Sequence, residues 1–244
     1  MSKKDYSYIG FGRVFAKEIG GSKNWEIGNC SALNLSASAQ ERALKNNKTG
    51  QGNANSSTRV DKVNMSMTMH DLEKDNLEMM LYGTQSTVTS GTVTDEPITS
   101  AIGGLSRTAQ INITSVVVTS DPAGTTYTEG TDYEVTAAGI KALVGGTIPD
   151  ATALLISYSY SEAHVVEGLT GSAKEYELTF VGLNDAQSGK ATVVDLFIVK
   201  PSIFSELALI GEDYAAPTVA GELTADSSKV GAGISQYFKH TYVE

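Results

Sequence analysis

Three histidines, His70, His164 and His240, and one cysteine, Cys30, are the side chains of this 244-residue chain best suited to metal or nucleophilic chemistry. Zinc binding needs ligands at short, repeated separations, and neither the histidines nor the cysteine has a companion at such spacing. Cys30 opens an apolar/polar alternation, where a small packing residue is expected rather than a nucleophile. Gly10-Phe11-Gly12 is the start of a dinucleotide fingerprint, but Phe15 stands where the third glycine should open a helix. Gly189-Lys190 is followed by Ala191 and lacks the earlier glycine of a phosphate-binding loop, and no Gly-x-Ser-x-Gly elbow occurs. Asp71, Glu73 and Asp75 sit at an expected helix start, where carboxylates suit the positive end of the helix dipole better than they suit a metal. The residues point away from an enzyme, and they call for no metal or cofactor.

Charge is more informative. The net charge is −10, yet residues 1–62 sum to +5 and residues 63–244 to −15. An acidic chain gains no counterion-release affinity for nucleic acid, and the imbalance reads as unlike ends that meet in a head-to-tail assembly. A single cysteine excludes an intrachain disulfide. The start MSKKDYSYIG lacks the apolar run of a signal peptide, and no window approaches the roughly 18 apolar residues of a membrane helix, so a soluble protein made in the cytosol is expected.

The elements that would position these groups are mostly strands. Phe11, Arg13, Phe15 and Lys17 alternate with Val14 and Ala16; Leu33, Leu35, Ala37 and Ala39 alternate with Asn34, Ser36 and Ser38. Val63, Met65, Met67 and Met69 alternate with Lys62, Asn64, Ser66, Thr68 and His70. Between the last two runs lies Gln40–Thr58, a polar stretch expected to be a long hairpin loop. Leu77, Met80 and Leu81 have helical spacing, with Asp71 or Asp75 as N-cap and Gly83 just past the end. Thr84–Thr99 is Thr/Ser/Gly-rich, and short strands follow, divided by turns at Asp121-Pro122-Ala123-Gly124 and Gly145-Gly146. Residues 105–167 are expected to form a β module inserted into a main β domain of residues 1–104 and 168–244. EYELTFVGL and ATVVDLFIVK form a hairpin, the second strand apolar on both faces and therefore central. Ser205–Ser228 then carries Glu206, Glu212, Glu222, Asp213 and Asp226 and no base, before a last strand in ISQYFKHTYV.

In serial order these pieces resemble phage major tail tube proteins. The resemblance rests on GFGRVF, GNCSALNLSASAQ with the stretch after it, VDKVNMSMTM, DNLEMMLYG and the ending EYELTFVGLND…KATVVDLFIVKPS…LALIGEDYA…LTADSSK…SQYF. It implies a mainly β, tail-tube-like β-sandwich or barrel with one flanking helix, forming six-fold rings stacked into a hollow conduit for DNA ejection. The implied partners are other copies of the chain and tail components such as the tape measure, baseplate or tip and terminator, with a sheath where the tail is contractile. DNA would pass without tight binding, no membrane would be involved, and the protein would reside in the virion tail after assembly in the host cytoplasm. The same features fit the inner tube of a contractile secretion apparatus. A secreted adhesin or pilus-type subunit fits less well, for want of a signal. On this reading Gln40, Glu41, Arg42, Ala43, Leu44, Lys45, Lys48 and Arg59 reach a neighbouring ring. Asn34, Ser36, Ser38, Lys62, Asn64, Ser66 and Thr68 line the bore, and the five acidic residues of Ser205–Ser228 receive the basic loop.

Overall fold

Val14 and Ala16, Val63 through Met69 at every second position, and Tyr176 and Leu178 are all buried in one core, as their alternation with polar neighbours requires. The computed structural model describes residues 6–243. It is mainly β, with several sheets, one α-helix and no closed barrel among the described residues. The chain runs through β1 (Gly10–Glu18), β2 (Asn24–Glu26), β3 (Cys30–Lys45), β4 (Asn53–Met69), α1 (Lys74–Leu81) and β5 (Thr84–Val88). There follow β6 (Gly91–Thr99), β7 (Leu105–Arg107), β8 (Ile113–Ser120), β9 (Thr126–Tyr127), β10 (Tyr133–Thr136), β11 (Gly139–Ala142) and β12 (Ala153–Tyr160). The chain ends with β13 (Ala163–Glu167), β14 (Tyr176–Asn184), β15 (Lys190–Pro201), β16 (Thr218–Leu223) and β17 (Phe238–Tyr242).

The first compact unit comprises Met1–Gln85 and Val166–Glu244. Its sheet has the order β2-β1-β14-β15-β16-β4-β3, and β17 pairs with the same edge of β15 that β16 meets farther along. β15 is therefore the central strand, contacting three others. Val194, Leu196 and Val199 turn toward the core, and a register shift against β14 brings Val199 inward in place of Ile198. Its outer side is only half-covered, with the Lys229 ammonium 4.9 Å from the Phe197 ring centroid. β1 and β3, from opposite halves of the strand order, line a common cleft, so the sheet curls without closing. Gly12 and Gly182 face each other across the β1–β14 pair, and the Phe180 ring lies against both. A Cβ on either would collide with that ring and with backbone. Ring packing, not phosphate binding, explains the glycines around Phe11.

The segment Gln40–Thr58, expected as a loop, is instead mostly strand. β3 and β4 remain paired from Ala39↔Val60 out to Lys45↔Asn53, and the chain reverses at Asn46–Gly52. There the Asn46 side chain accepts the N–H groups of Lys48 (3.1 Å) and Thr49 (3.3 Å). The result is a two-stranded ribbon about 20 Å long, at ~3.3 Å per residue, exposed on both faces. Periodicity could not show it, because a strand with no buried face has no apolar alternation.

α1 packs Met79 and Met80 against this core, with Leu77 and Leu81 beside them. It starts after Glu73, whose side chain makes no cap bond, and ends at Tyr82 in the left-handed region with Gly83 next. Neither Asp71 nor Asp75 is the N-cap. Asp71 instead accepts the Asn29 N–H (2.8 Å), and Asp75 belongs to an ionic cluster described below. Buried Asn76 joins α1 to β2 by donating to the Ile27 and Asp71 carbonyls (both 2.8 Å) and accepting from Trp25 Nε1 (2.9 Å).

The second unit is Ser86–Val165 and holds two small sheets, β6-β12-β8-β9 and β10-β11-β7, over a core that includes Val118, Ile140, Leu154 and Ile156. Its start lies well before residue 105, because β6 pairs along β12 from Thr99↔Ala153 to Gly91↔Tyr160. The chain enters along β5 and returns along β13, and these two strands pair with each other.

Because entry and exit are paired neighbours, replacing Ser86–Val165 by a short Gly/Ser linker should leave the first unit folded. The expected result is a β-type circular dichroism spectrum with one cooperative unfolding transition. Loss of that transition would mean that the first unit does not fold independently.

Candidate assembly surfaces

Groups suited to chemistry are kept apart. His70 Nδ1 lies 3.2 Å from the Ala215 carbonyl, His164 Nδ1 lies 3.2 Å from Thr87 Oγ1, and His240 Nε2 lies 2.8 Å from Thr192 Oγ1. Among the described residues no group of three His, Cys, Asp or Glu side chains could hold a metal ion, and no helix is long and apolar enough to cross a membrane. Burial, aided by the Asp71 carboxylate, pushes the Cys30 thiol up to about 11, which leaves little thiolate for nucleophilic attack.

The polar face expected to line a bore is brought together. Asn34 pairs with Ser66, Ser36 with Asn64, and Ser38 with Lys62, each pair on one face of β3 and β4. β16 extends that face, placing Thr218 opposite Thr68, Ala220 opposite Ser66 and Glu222 opposite Asn64. The Thr68 and Thr218 hydroxyls are 2.9 Å apart. Small neutral groups dominate, and the one cation, Lys62, lies 3.5 Å from Glu222.

The ribbon separates its side chains by face. Cross-strand pairing puts Gln40 with Arg59, Arg42 with Ser57 and Leu44 with Asn55 on one side. Gln40, Arg42, Ser57 and Arg59 together line a shallow groove. The other side carries Ala39, Glu41, Ala43, Lys45, Ser56, Thr58 and Val60. One face is thus cationic without a carboxylate, with Leu44 62% exposed at its end. Lys48 sits in the terminal turn.

The acidic residues divide. Glu206, Glu212 and Asp213 are exposed on the irregular segment between β15 and β16. Glu222 is the outward strand residue already beside Lys62. Asp226 holds a local turn by accepting Ser228 Oγ (2.6 Å) and Ser228 N–H (2.9 Å), bonds that keep its carboxyl below the ordinary range. Only the first three form an acidic surface, and it leads into Thr218 beside Thr68, at the far end of β4 from the ribbon.

A family model described as protein of unknown function UCP028589 matches residues 7–241. The chain belongs to that family. The matched span includes Ser86–Val165, the second unit. No curated protein matches the chain.

One group that sequence reading missed ties α1 to the β1–β2 turn and to the approach to β14. Lys23 Nζ donates to Glu78 Oε2 (2.5 Å) and lies 3.1 Å from Asp75, while Lys174 Nζ donates to Glu78 Oε1 (2.9 Å) and lies 3.2 Å from Glu18. Gln85 Nε2 donates to both Glu78 Oε2 (2.5 Å) and Asp75 Oδ1 (2.7 Å). Burial alone would raise the Glu78 pKa, but the bonds from Lys23, Lys174 and Gln85 outweigh it and hold the carboxyl at about 2. Residues dispersed from 18 to 174 give no local signal for this cluster.

A carboxyl held below its ordinary 4.5 stabilises the fold fully above that pH, and loses this contribution as pH falls toward about 2. The contribution is on the order of 3 kcal/mol. Because pH 3 still lies about one unit above the folded value, urea unfolding at pH 5 and pH 3 should show a loss of about 2 kcal/mol in the native chain, and Glu78→Gln should be less stable at pH 5 with a flatter pH dependence. Equal pH dependence in the two proteins would assign acid sensitivity elsewhere.

Proposed function

We propose that this chain is the structural subunit of a phage tail tube, assembling into stacked six-fold rings that enclose a conduit for DNA. The observation that carries the reading is the ribbon. About seven residue pairs extend past the core with neither face buried, and an isolated two-stranded ribbon gains little stability by itself. Such an element has a physical reason to exist if another subunit covers it. Its strands are already paired, so assembly does not have to order a loose loop, and most of the backbone entropy cost of about 1–2 kcal/mol per residue is met on folding.

Two further observations support the reading. Among the described residues β3 is a terminal strand whose second edge pairs with no other strand, and edge-to-edge pairing around a closed ring would satisfy that backbone without open-ended aggregation. The face carrying Asn34, Ser36, Asn64 and Ser66 suits a bore through which DNA slides, because neutral polar groups give phosphates no cationic stripe to grip. The ribbon and the acidic segment lie at opposite ends of β4, the arrangement that stacking in one direction requires.

Replacing Gln40–Thr58 by a two-residue turn should leave a folded subunit that builds no long tubes, as judged by circular dichroism and negative-stain microscopy. Tubes of normal length from that variant would remove the ribbon's role. Arg42→Glu with Arg59→Glu, on the cationic face, should shorten tubes more than Lys45→Glu with Lys48→Glu, although exposed pairs are worth only about 0–1 kcal/mol each. The assembled protein should show no duplex DNA binding in a gel shift at about 0.15 M salt; sub-micromolar binding would count against a slippery bore.

A further inference from the structure

Leu209, Ile210 and Tyr214 are 84%, 98% and 93% exposed, three large apolar side chains within six residues. Their segment is tethered at both roots: the Phe204 N–H donates to the Met80 carbonyl (3.1 Å), and the Ala215 carbonyl meets His70 Nδ1. Side chains of this kind left in water on an anchored segment mark a contact surface. Glu206, Glu212 and Asp213 accompany them, and residues 202–217 contain no base.

The complementary feature lies at the other end of β15. A cavity of about 400 Å³ opens beside Lys190, walled by Tyr8, Thr192, His240, Tyr242 and Val243. Its volume is in the range that accepts a few side chains. Among the described residues its wall holds Lys190 and no carboxylate, so an acidic apolar segment suits it in size and charge. The segment leaves β15 at Pro201, about 36 Å from Lys190 at ~3.3 Å per residue, and the two do not meet within one chain.

We propose that the Leu209–Tyr214 segment of one copy seats in the Lys190–Tyr242 cavity of a second copy. The contact is heterologous, one surface meeting a different one, so each added copy presents a fresh segment and a fresh cavity. It requires self-association of the chain and does not depend on the tube reading.

Two full-length variants test it, each checked for native circular dichroism. One carries Leu209→Ser, Ile210→Ser and Tyr214→Ser and keeps the cavity. The other carries Lys190→Glu and Val243→Glu, at sites near the surface, and keeps the segment. Each alone should lose self-association in analytical ultracentrifugation, with about a tenfold loss or more for each large apolar side chain removed. A tagged cavity variant should nevertheless retain the untagged segment variant, because one intact segment then meets one intact cavity. A chain carrying all five substitutions should retain neither. Unchanged self-association of the segment variant, or failure of the two folded variants to co-purify, would overturn the proposal. Normal-length tubes from the segment variant would refute this contact while leaving the tube reading intact, and segment-dependent association without tubes from the native chain would do the reverse.

Discussion

Val63, Met65, Met67 and Met69 enter the core from one face of β4, and successive strand residues must point to opposite faces. Lys62, Asn64, Ser66 and Thr68 therefore have no alternative to the outer face. The same row fixes the neighbours, since Leu35 pairs with Met65 and Leu33 with Met67 on β3, while Gly221 and Val219 meet them on β16. A slip of one residue would expose four large apolar side chains, at about 1.5–3 kcal/mol each, and bury the polar set against them. That penalty holds β3, β4 and β16 in register. It also aims the ribbon, which is the continuation of a strand whose inner half cannot move.

The cluster around Glu78 solves a different problem. α1 is short and has no side-chain N-cap, so its own backbone contributes little to its persistence. Met79 and Met80 bring it to the sheet, and bonds from Lys23, Lys174 and Asn76 fix its orientation against the β1–β2 turn and the approach to β14. Apolar contact is nondirectional; the charged and amide bonds supply the direction. Because Phe204 bonds to Met80, the position of α1 also sets where the Leu209–Tyr214 segment emerges.

How much could be read from the chain depended on whether each strand had a core to face. β1, β14 and the inner half of β4 alternate plainly because one side of each is buried; β3 alternates as well, but no residue of it is buried, with Leu33 half-buried and Leu35, Ala37 and Ala39 exposed. The ribbon carried no such signal, since Asn53–Val60 meets water on both sides and its polar residues suit a loop equally well. β6 was hidden for another reason: it is an edge strand containing Pro97, its composition is that of a connector, and its partner β12 lies some 60 residues away. The acidic stretch was legible as a count but not as a surface. Strand direction turns Glu222 toward Lys62 and turn geometry occupies Asp226, and neither follows from spacing along the chain.

Unlike ends are what remain when these constraints are combined. β4 carries the cationic ribbon at one end and meets, at Thr68, the strand that closes the acidic segment at the other. β15 runs in the same direction, both strands being antiparallel to β16, so its Lys190 end lies toward the ribbon and its Pro201 end toward the segment. Charge at such ends is screened over about 8–10 Å in physiological salt, which is enough to reject a copy arriving in the wrong orientation but too little to hold one in place. In the proposed contact holding falls to apolar surface, which Leu209, Ile210 and Tyr214 would supply where the acidic charge is found. A subunit with self-complementary faces would stop at a dimer. In the proposed contact a basic, cavity-bearing end and an acidic, apolar end would add copies in a single direction, with a polarity set by the strand directions of one sheet.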